Sequence, residues 1–487
     1  MTIPKEVKKI IEKLKKNGFE AYVVGGCVRD ILIDKEPKDW DVTTNAKPEE
    51  IQKLFPDSFY ENNFLTVTVK NKSKKIPEIE ITTYRLEAKY SDKRHPDEVK
   101  YASVLKEDLS RRDFTVNAMA LCEKIEKRKK KIEVIDLVGG QEDLKNKIIK
   151  TVGNPQERFL EDALRMLRAV RLASVLGFTI EKNTTEAIKK NSIWIKAVSY
   201  ERIRDEFVKI IMSNRASEGI ELLRELDLLK FIVPELLENY GIGQNKHHIY
   251  DCYTHALKAL EYTAKKDLNM YVRLASLFHD IGKPRVKVGD GVNSTFYNHE
   301  VIGAKMTFEI LNRLKFSKKD IEKIVKLVRY HLFYYNVDEV TESSVRRLVK
   351  NVGPENMEEL LQLRHADRIG SGVPKAEPYK LRHLKYIIDK VSQDPISVKM
   401  LYISGNDIME ILKIKPGPKI GYILDILLSI VLDDPKNNKK DTLEKEIEKL
   451  GKIDEKKLKT LAEKSKEEKS IIETKRDKMT KDKYWVK

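Results

Sequence analysis

The run Tyr22-Val-Val-Gly-Gly-Cys-Val-Arg-Asp30, followed closely by Asp39-Trp-Asp41, constrains the N-terminal part of this chain more than any other stretch. Tyr22-Val23-Val24 is short, apolar and β-prone, so it predicts a buried strand. Gly25-Gly26 lets the backbone turn sharply and leaves amides facing outward. A backbone nest of that kind suits a phosphate, and Arg29, a turn into the following helix, adds a cation. Asp39 and Asp41 lie two apart on an expected second strand, Asp39–Thr43, so their side chains should leave one face of the sheet. Two carboxylates converging beside a phosphate-binding turn make a site for a hard divalent cation, Mg²⁺ first.

Further strands are expected at Leu65–Val69 and Ile79–Tyr84, where apolar and polar residues alternate, and in a charged hairpin at Lys124–Lys131 that returns through Ile132–Asp136. From Pro155 onward the pattern is helical, with no further strand expected. The predicted fold class is α+β, a mixed-sheet head on an all-helical remainder. A chain of 487 residues has room for three or four domains. Its net charge of +17 calls for an acidic partner, nucleic acid ahead of membrane. Cys27, Cys122 and Cys252 are scattered, which argues for a reducing compartment and against a disulfide framework or zinc knuckle. The opening residues lack the apolar core of a signal peptide, and Ile420–Leu432, broken by Asp425, is too short to span a bilayer. A cytoplasmic protein with no membrane partner is expected. Oligomeric state is not encoded in any of these features.

Gly25-Gly-x-Val-Arg-Asp30 with Asp39-x-Asp41 resembles the polymerase-β-like nucleotidyltransferase head of class II tRNA nucleotidyltransferases, the CCA-adding enzymes, and of the related bacterial poly(A) polymerases. The resemblance implies catalytic, Mg²⁺-binding Asp39 and Asp41 and a third carboxylate on a neighbouring strand. Glu78 and Glu80 share the required parity, and the choice of Glu80 rests on the resemblance. Arg111-Arg-Asp-Phe-Thr-Val-Asn117 resembles the family's second motif, in which Arg112 and Asp113 would hold sugar and phosphates. Gly25, Gly26 and Arg29 join them as nucleotide-binding residues. Asp136-Leu-Val-Gly-Gly-Gln-Glu-Asp-Leu144 resembles the family's third motif, a glycine hinge between head and neck. The chain departs from the family before Thr66, where Leu65 replaces the usual glycine.

Arg158-Phe-Leu-Glu-Asp-Ala-Leu-Arg-Met-Leu-Arg-Ala-Val-Arg171 resembles the family's Glu-Asp-x-x-Arg motif. Asp162 and Arg165, three apart on one expected helix, would be neighbours on its surface. A carboxylate acceptor beside a guanidinium donor can mimic the Watson–Crick edge of a partner base. Arg168 and Arg171 continue at three-residue steps, each rotated further round the helix, and can reach phosphates or RNA.

His279-Asp-Ile-Gly282 resembles the core signature of HD phosphohydrolases, and His255, His279, Asp280 and Asp367 follow that family's ligand order. Imidazole and carboxylate together suit Mn, Fe, Ni or Mg with water as nucleophile. His299 and His331 stand where dinuclear members add ligands. The implied organisation is a head at 1–148, a neck with the base-selecting helix at 149–240, an HD domain at 241–375, a tRNA-binding body at 376–450 and a charged tail at 451–487. Ser404-Gly-Asn-Asp407 and Lys415–Gly421 resemble the tRNA-gripping module.

The resemblance implies template-independent addition of CCA to tRNA from CTP and ATP, with a second, hydrolytic activity in the HD domain. A poly(A) polymerase or A-adding enzyme shares nearly every motif. A rival from another class is an HD phosphohydrolase whose head only binds RNA. The polar segment Tyr90–Glu98 resembles the flexible loop of full CCA-adding enzymes and argues against CC-only activity.

Overall fold

The computed structural model describes all residues except 1–2, 62–65, 72, 74, 89–97, 127–128, 246–248, 334, 338, 373–378, 393–397, 399–400 and 487. Leu65 and most of the Tyr90–Glu98 loop fall outside the described residues. The chain divides into two compact units, residues 1–332 with 359–374, and residues 333–358 with 375–487.

The first unit opens with a mixed sheet. Its strands are β1 Ala21–Val24, β2 Asp41–Thr44, β3 Ser58–Glu61, β4 Thr66–Lys70 and β5 Glu78–Thr83. A separate pair, β6 Arg85–Ala88 and β7 Glu98–Tyr101, precedes the hairpin β8 Met119–Glu126 and β9 Lys129–Asp136. The seven-stranded sheet runs β3-β4-β5-β2-β1-β8-β9. Only β2 and β5 pair in parallel; every other pairing in it is antiparallel. Val23, Val42, Val67, Ile79 and Ile81 are fully buried in its core, as their alternation demands.

Two expectations need correction here. Strand β2 begins at Asp41, because after Pro37 the chain is still bending through Lys38 and Asp39. A strand does follow Pro155: β11 Thr179–Ile180 lies parallel to β10 Ile148–Ile149. Two-residue strands are too short to leave a period in the sequence.

A third correction concerns the base-selecting helix. The segment is two helices, Pro155–Glu161 and Leu164–Leu176, broken at Asp162, whose φ of −142° and ψ of 106° are extended. The Asp162 carboxylate accepts from Leu164 N at 3.1 Å, offering the second helix start a side-chain acceptor. Helices then follow through Gly370.

The second unit is helical around Ile408, Ile423, Leu427, Leu443, Ile447 and Leu458. Ser404 opens the helix Gly405–Leu412 with a capping box closed by Asp407. The charged C-terminal segment forms one helix over Glu455–Lys483 and buries Leu458 and Ala462. Asp477 accepts from Tyr386 Oη at 2.6 Å, tying that helix to Tyr379–Ser392. No described helix is long and apolar enough to cross a membrane.

Candidate active sites

In the head, the parallel ladder sets Asp41 directly opposite Glu80, with Glu80 N donating to Trp40 O at 3.2 Å. Directly opposed residues share a face of the pleat. Glu78 pairs instead with Lys70, beyond the start of β2. Asp39 precedes the strand, exposed to solvent, yet near enough to perturb Asp41. Burial lifts the Asp41 carboxyl above its ordinary range; Arg112 draws it back and Asp39 lifts it again. The three carboxylates do not converge to within 4.8 Å of one another. Neighbouring carboxylates repel unless a cation lies between them, and oxygen donors of this kind suit a hard divalent one.

Gly25 fits behind Asp41 because it has no side chain. Its φ is +84°, and a Cβ there would lie 2.9 Å from Asp41 Oδ2 and 3.2 Å from Arg112 Nη1. Arg29 is anchored, with Nε on Asp30 Oδ1 at 2.9 Å and Nη1 on Asn117 Oδ1 at 2.7 Å. Gly26 packs against the Arg29 guanidinium.

Arg111 and Arg112 close the helix Leu105–Ser110, and both bind Asp108, at 2.7 and 3.2 Å. Asp108 is fully buried and also accepts from Thr43 Oγ1 at 3.2 Å. Sequence reasoning missed this carboxylate; its only signal is the spacing three and four residues before the arginine pair. Asp113 faces the neck: Oδ1 takes Phe114 N at 2.9 Å and Oδ2 takes Arg168 Nε at 2.7 Å. Burial opposes its charge, but Arg168 and Arg165 hold its carboxyl down at about 2.

Asp162 and Arg165 point to different partners. Asp162 binds Arg202 at 2.8 Å, whereas Arg165 donates to Glu161 and, at 3.2 Å, to Arg158 O. Arg171 pairs with buried Glu206 at 2.7 Å. Arg202 and Glu206 both lie on the helix Tyr200–Ile211, and nothing local in sequence marks them.

The second site gathers all four expected ligands. His255 lies on the helix Cys252–Lys265; His279 and Asp280 follow Met270–Phe278; Asp367 lies on Met357–Gly370. Nε2 of His255 is 2.9 Å from Nε2 of His279, 3.2 Å from Asp280 Oδ2 and 3.3 Å from Asp367 Oδ1. The other oxygen of Asp280 faces His299 and His331, at 3.3 and 3.6 Å from their Nε2 atoms. Two donor sets result, each within 4.8 Å: His255, His279, Asp280 and Asp367, then Asp280, His299 and His331.

These imidazoles are oriented for ligation. Nδ1 of His279, His299 and His331 sits 2.8, 2.7 and 2.8 Å from the carbonyls of Ser276, Phe296 and Val328. Donation from Nδ1 leaves the Nε2 lone pairs turned inward. Burial disfavours a charged His279, but Asp280 and Asp367 outweigh it and lift it to about 10, so a cation held at Nε2 would take the place of a proton that the two carboxylates favour. The same pairing, with Lys283 at 2.6 Å, holds Asp280 well below the carboxylate range. Lys283, which continues the His279-Asp-Ile-Gly string, also donates to Gln244 Oε1 at 2.6 Å, and Gln244 was not singled out from sequence. Gly282 allows the turn to press on the next helix: a Cβ there would lie 2.4 Å from His299 O. The cluster is a candidate divalent-metal centre with a donor set that fits one.

Fold and sites together define a nucleotidyltransferase head followed by an HD domain. Family models agree in the same order: the poly(A) polymerase head domain over residues 21–150, the probable RNA and SrmB-binding site of polymerase A over 177–239, and the HD domain over 252–371. The CCA-adding enzyme of Ligilactobacillus salivarius is 34% identical over 434 residues, covering 87% of this chain and 92% of that protein. The A-adding tRNA nucleotidyltransferase of Deinococcus radiodurans is 33% identical over 337 residues, 66% of this chain and 74% of that one. Among solved structures, the Bacillus stearothermophilus CCA-adding enzyme in complex with CTP superposes with a TM-score of 0.57 at 26% identity, covering 92% of this chain and 98% of that one. This chain belongs to the family of CCA-adding enzymes and their poly(A) polymerase and A-adding relatives.

Proposed function

We propose that this protein adds CCA to the 3′ end of tRNA from CTP and ATP without a template. The observation that carries the reading is the Asp41–Glu80 register beside Asp39, with Gly25 and Arg112 against the Asp41 carboxylate. Asp39, Asp41 and Glu80 would hold Mg²⁺, which supplies charge to activate the 3′-hydroxyl and polarise the α-phosphate. Around it, Arg112 shares its charge between Asp41 and Asp108, and Arg29, fixed by Asp30 and Asn117, faces the Gly25-Gly26 turn. Asp113 acts by holding Arg168, so Arg168 and Arg171 approach the nucleotide from a braced position. Asp162 and Arg165 read the base edge after rotating from their present partners, Arg202 and Glu161.

The test is to incubate purified protein with tRNA lacking its 3′ CCA, offering CTP and ATP separately and together, and to sequence the products. Addition of A alone supports the A-adding reading, and long A tracts support poly(A) synthesis.

The buried histidine–aspartate cluster favours a second activity, metal-dependent hydrolysis of a phosphoester. His255, His279, Asp280 and Asp367 would hold one ion, of Mn, Fe, Ni or Mg, and Asp280, His299 and His331 a second. A terminal or 2′,3′-cyclic phosphate blocks the hydroxyl that the head must use. Its removal would give one chain reason to carry both chemistries.

A further inference from the structure

The neck carries an open cavity of about 340 Å³ whose walls include Ile195, Lys196, Tyr200, Lys230, Phe231 and Arg313. None of these residues belongs to either site. Lys196 Nζ and Lys230 Nζ lie 5.4 and 5.3 Å from the centre of the Phe231 ring. Tyr200 is 39% exposed, and the turn Ser192–Ala197 that leads into the cavity exposes Trp194 equally.

The cations differ in how far they are neutralised. Arg313 is held by both oxygens of Glu235, at 2.7 and 2.8 Å. Lys230 leans on Asp227 at 3.3 Å. Lys196 has no carboxylate partner among the described residues. Small-ligand sites span about 300–1,000 Å³, so this one admits a single nucleotide-sized group. An aromatic face beside an unneutralised lysine is the pairing that holds unpaired bases: the ring stacks and the cation meets the phosphate. Lys196 is exposed with its ammonium beside the Phe231 ring, so an anionic partner gains a charge contact here that an apolar one does not.

We infer that the cavity binds one unpaired nucleotide of the RNA, its base against Phe231 and Tyr200 and its phosphate at Lys196. The inference rests on the reading of the chain as an RNA-extending enzyme. It deepens the family description of residues 177–239, which names a region but not the residues or their chemistry.

The test uses the full chain, titrated into a labelled single-stranded oligonucleotide and into labelled tRNA lacking CCA, with anisotropy as readout. Phe231→Ala should weaken binding at least about fivefold, the low end of what a stacked base contributes. Lys196→Glu, at an exposed position that leaves folding untouched, should weaken it and flatten its salt dependence by about one counterion. Both variants within about twofold of the parent, less than a phosphate or stacking contact is worth, overturn the inference. Nucleotide addition at saturating RNA is measured alongside. If the parent adds none, the CCA reading fails, while the affinities still judge the cavity.

Discussion

Asp113 and Arg168, 55 residues apart in sequence, meet with Nε donating to Oδ2 at 2.7 Å and close the head's arginine–aspartate motif against the neck. The aspartate side chain is 10% exposed and the arginine 36%. The pair is therefore strong from the carboxylate side and partly screened from the other.

The pair makes stability depend on pH. The Asp113 carboxyl falls from 3.8 to about 2 on folding, so its contribution is fully present above pH 3.8 and is lost as pH falls through about 2. Asp113→Asn should cost about 1–2 kcal/mol at neutral pH once screening at Arg168 is allowed for. Urea unfolding of parent and variant at neutral pH and at pH 3 measures this. A gap that does not narrow in acid would assign the loss to packing.

Asp39→Ala and Asp41→Ala should each abolish nucleotide addition while the fold and tRNA affinity persist, because the lost charge acts at the reacting phosphate. Glu80→Ala should follow them and Glu78→Ala should not, since Glu78 sits opposite Lys70. Single-turnover rates decide it. An Asp variant keeping more than about a tenth of parental turnover, a barrier change under ~1.4 kcal/mol, rules out the carboxylate assignment.

Asp162→Ala and Arg165→Ala should reduce discrimination of CTP and ATP against UTP and GTP more than they reduce triphosphate affinity. Arg202→Ala should leave discrimination at or above the parental level, since it releases Asp162 from its resting partner without removing it. Competition between nucleotides on one tRNA reports the ratio directly. Unchanged preference in both the Asp162 and Arg165 variants would end the base-reading account.

The two sites should fail independently. The double substitution His279→Ala, Asp280→Ala removes ligands from both donor sets and should eliminate bound transition metal and any hydrolysis of 2′,3′-cyclic or terminal phosphates. CCA addition to tRNA with a free 3′-hydroxyl should persist. Metal analysis followed by both assays checks this. Collapse of addition in a folded variant, or unchanged metal content, contradicts two separate centres.

Features written into contiguous residues were legible before the structure. The strand, glycine pair and helix at Tyr22–Asp30 and the His279-Asp280 string each carry their signal locally. The break at Asp162 was not legible, because arginines at three-residue steps look the same on one helix or two. Arg202 and Glu206 face Asp162 and Arg171 from a helix whose sequence reads only as amphipathic. Asp108 carries no signal of its own beyond its spacing from the two arginines that fold back over it. The tail's lysine–glutamate composition concealed Leu458 and Ala462, enough apolar surface to seat a long helix.

The ladder between β2 and β5 also determines where this chain tolerates growth. Four consecutive pairs, from Asp41 with Glu80 to Thr44 with Thr83, fix the spacing of the two carboxylates. The Lys70–Glu78 connection makes no pair of that ladder. One residue inserted within either strand would turn every following side chain to the opposite face. An insertion between Lys70 and Glu78 lengthens only a loop, whose closure cost rises with the logarithm of its length. The head can thus acquire new surface at that edge, by evolution or by design, with its reaction centre left in register.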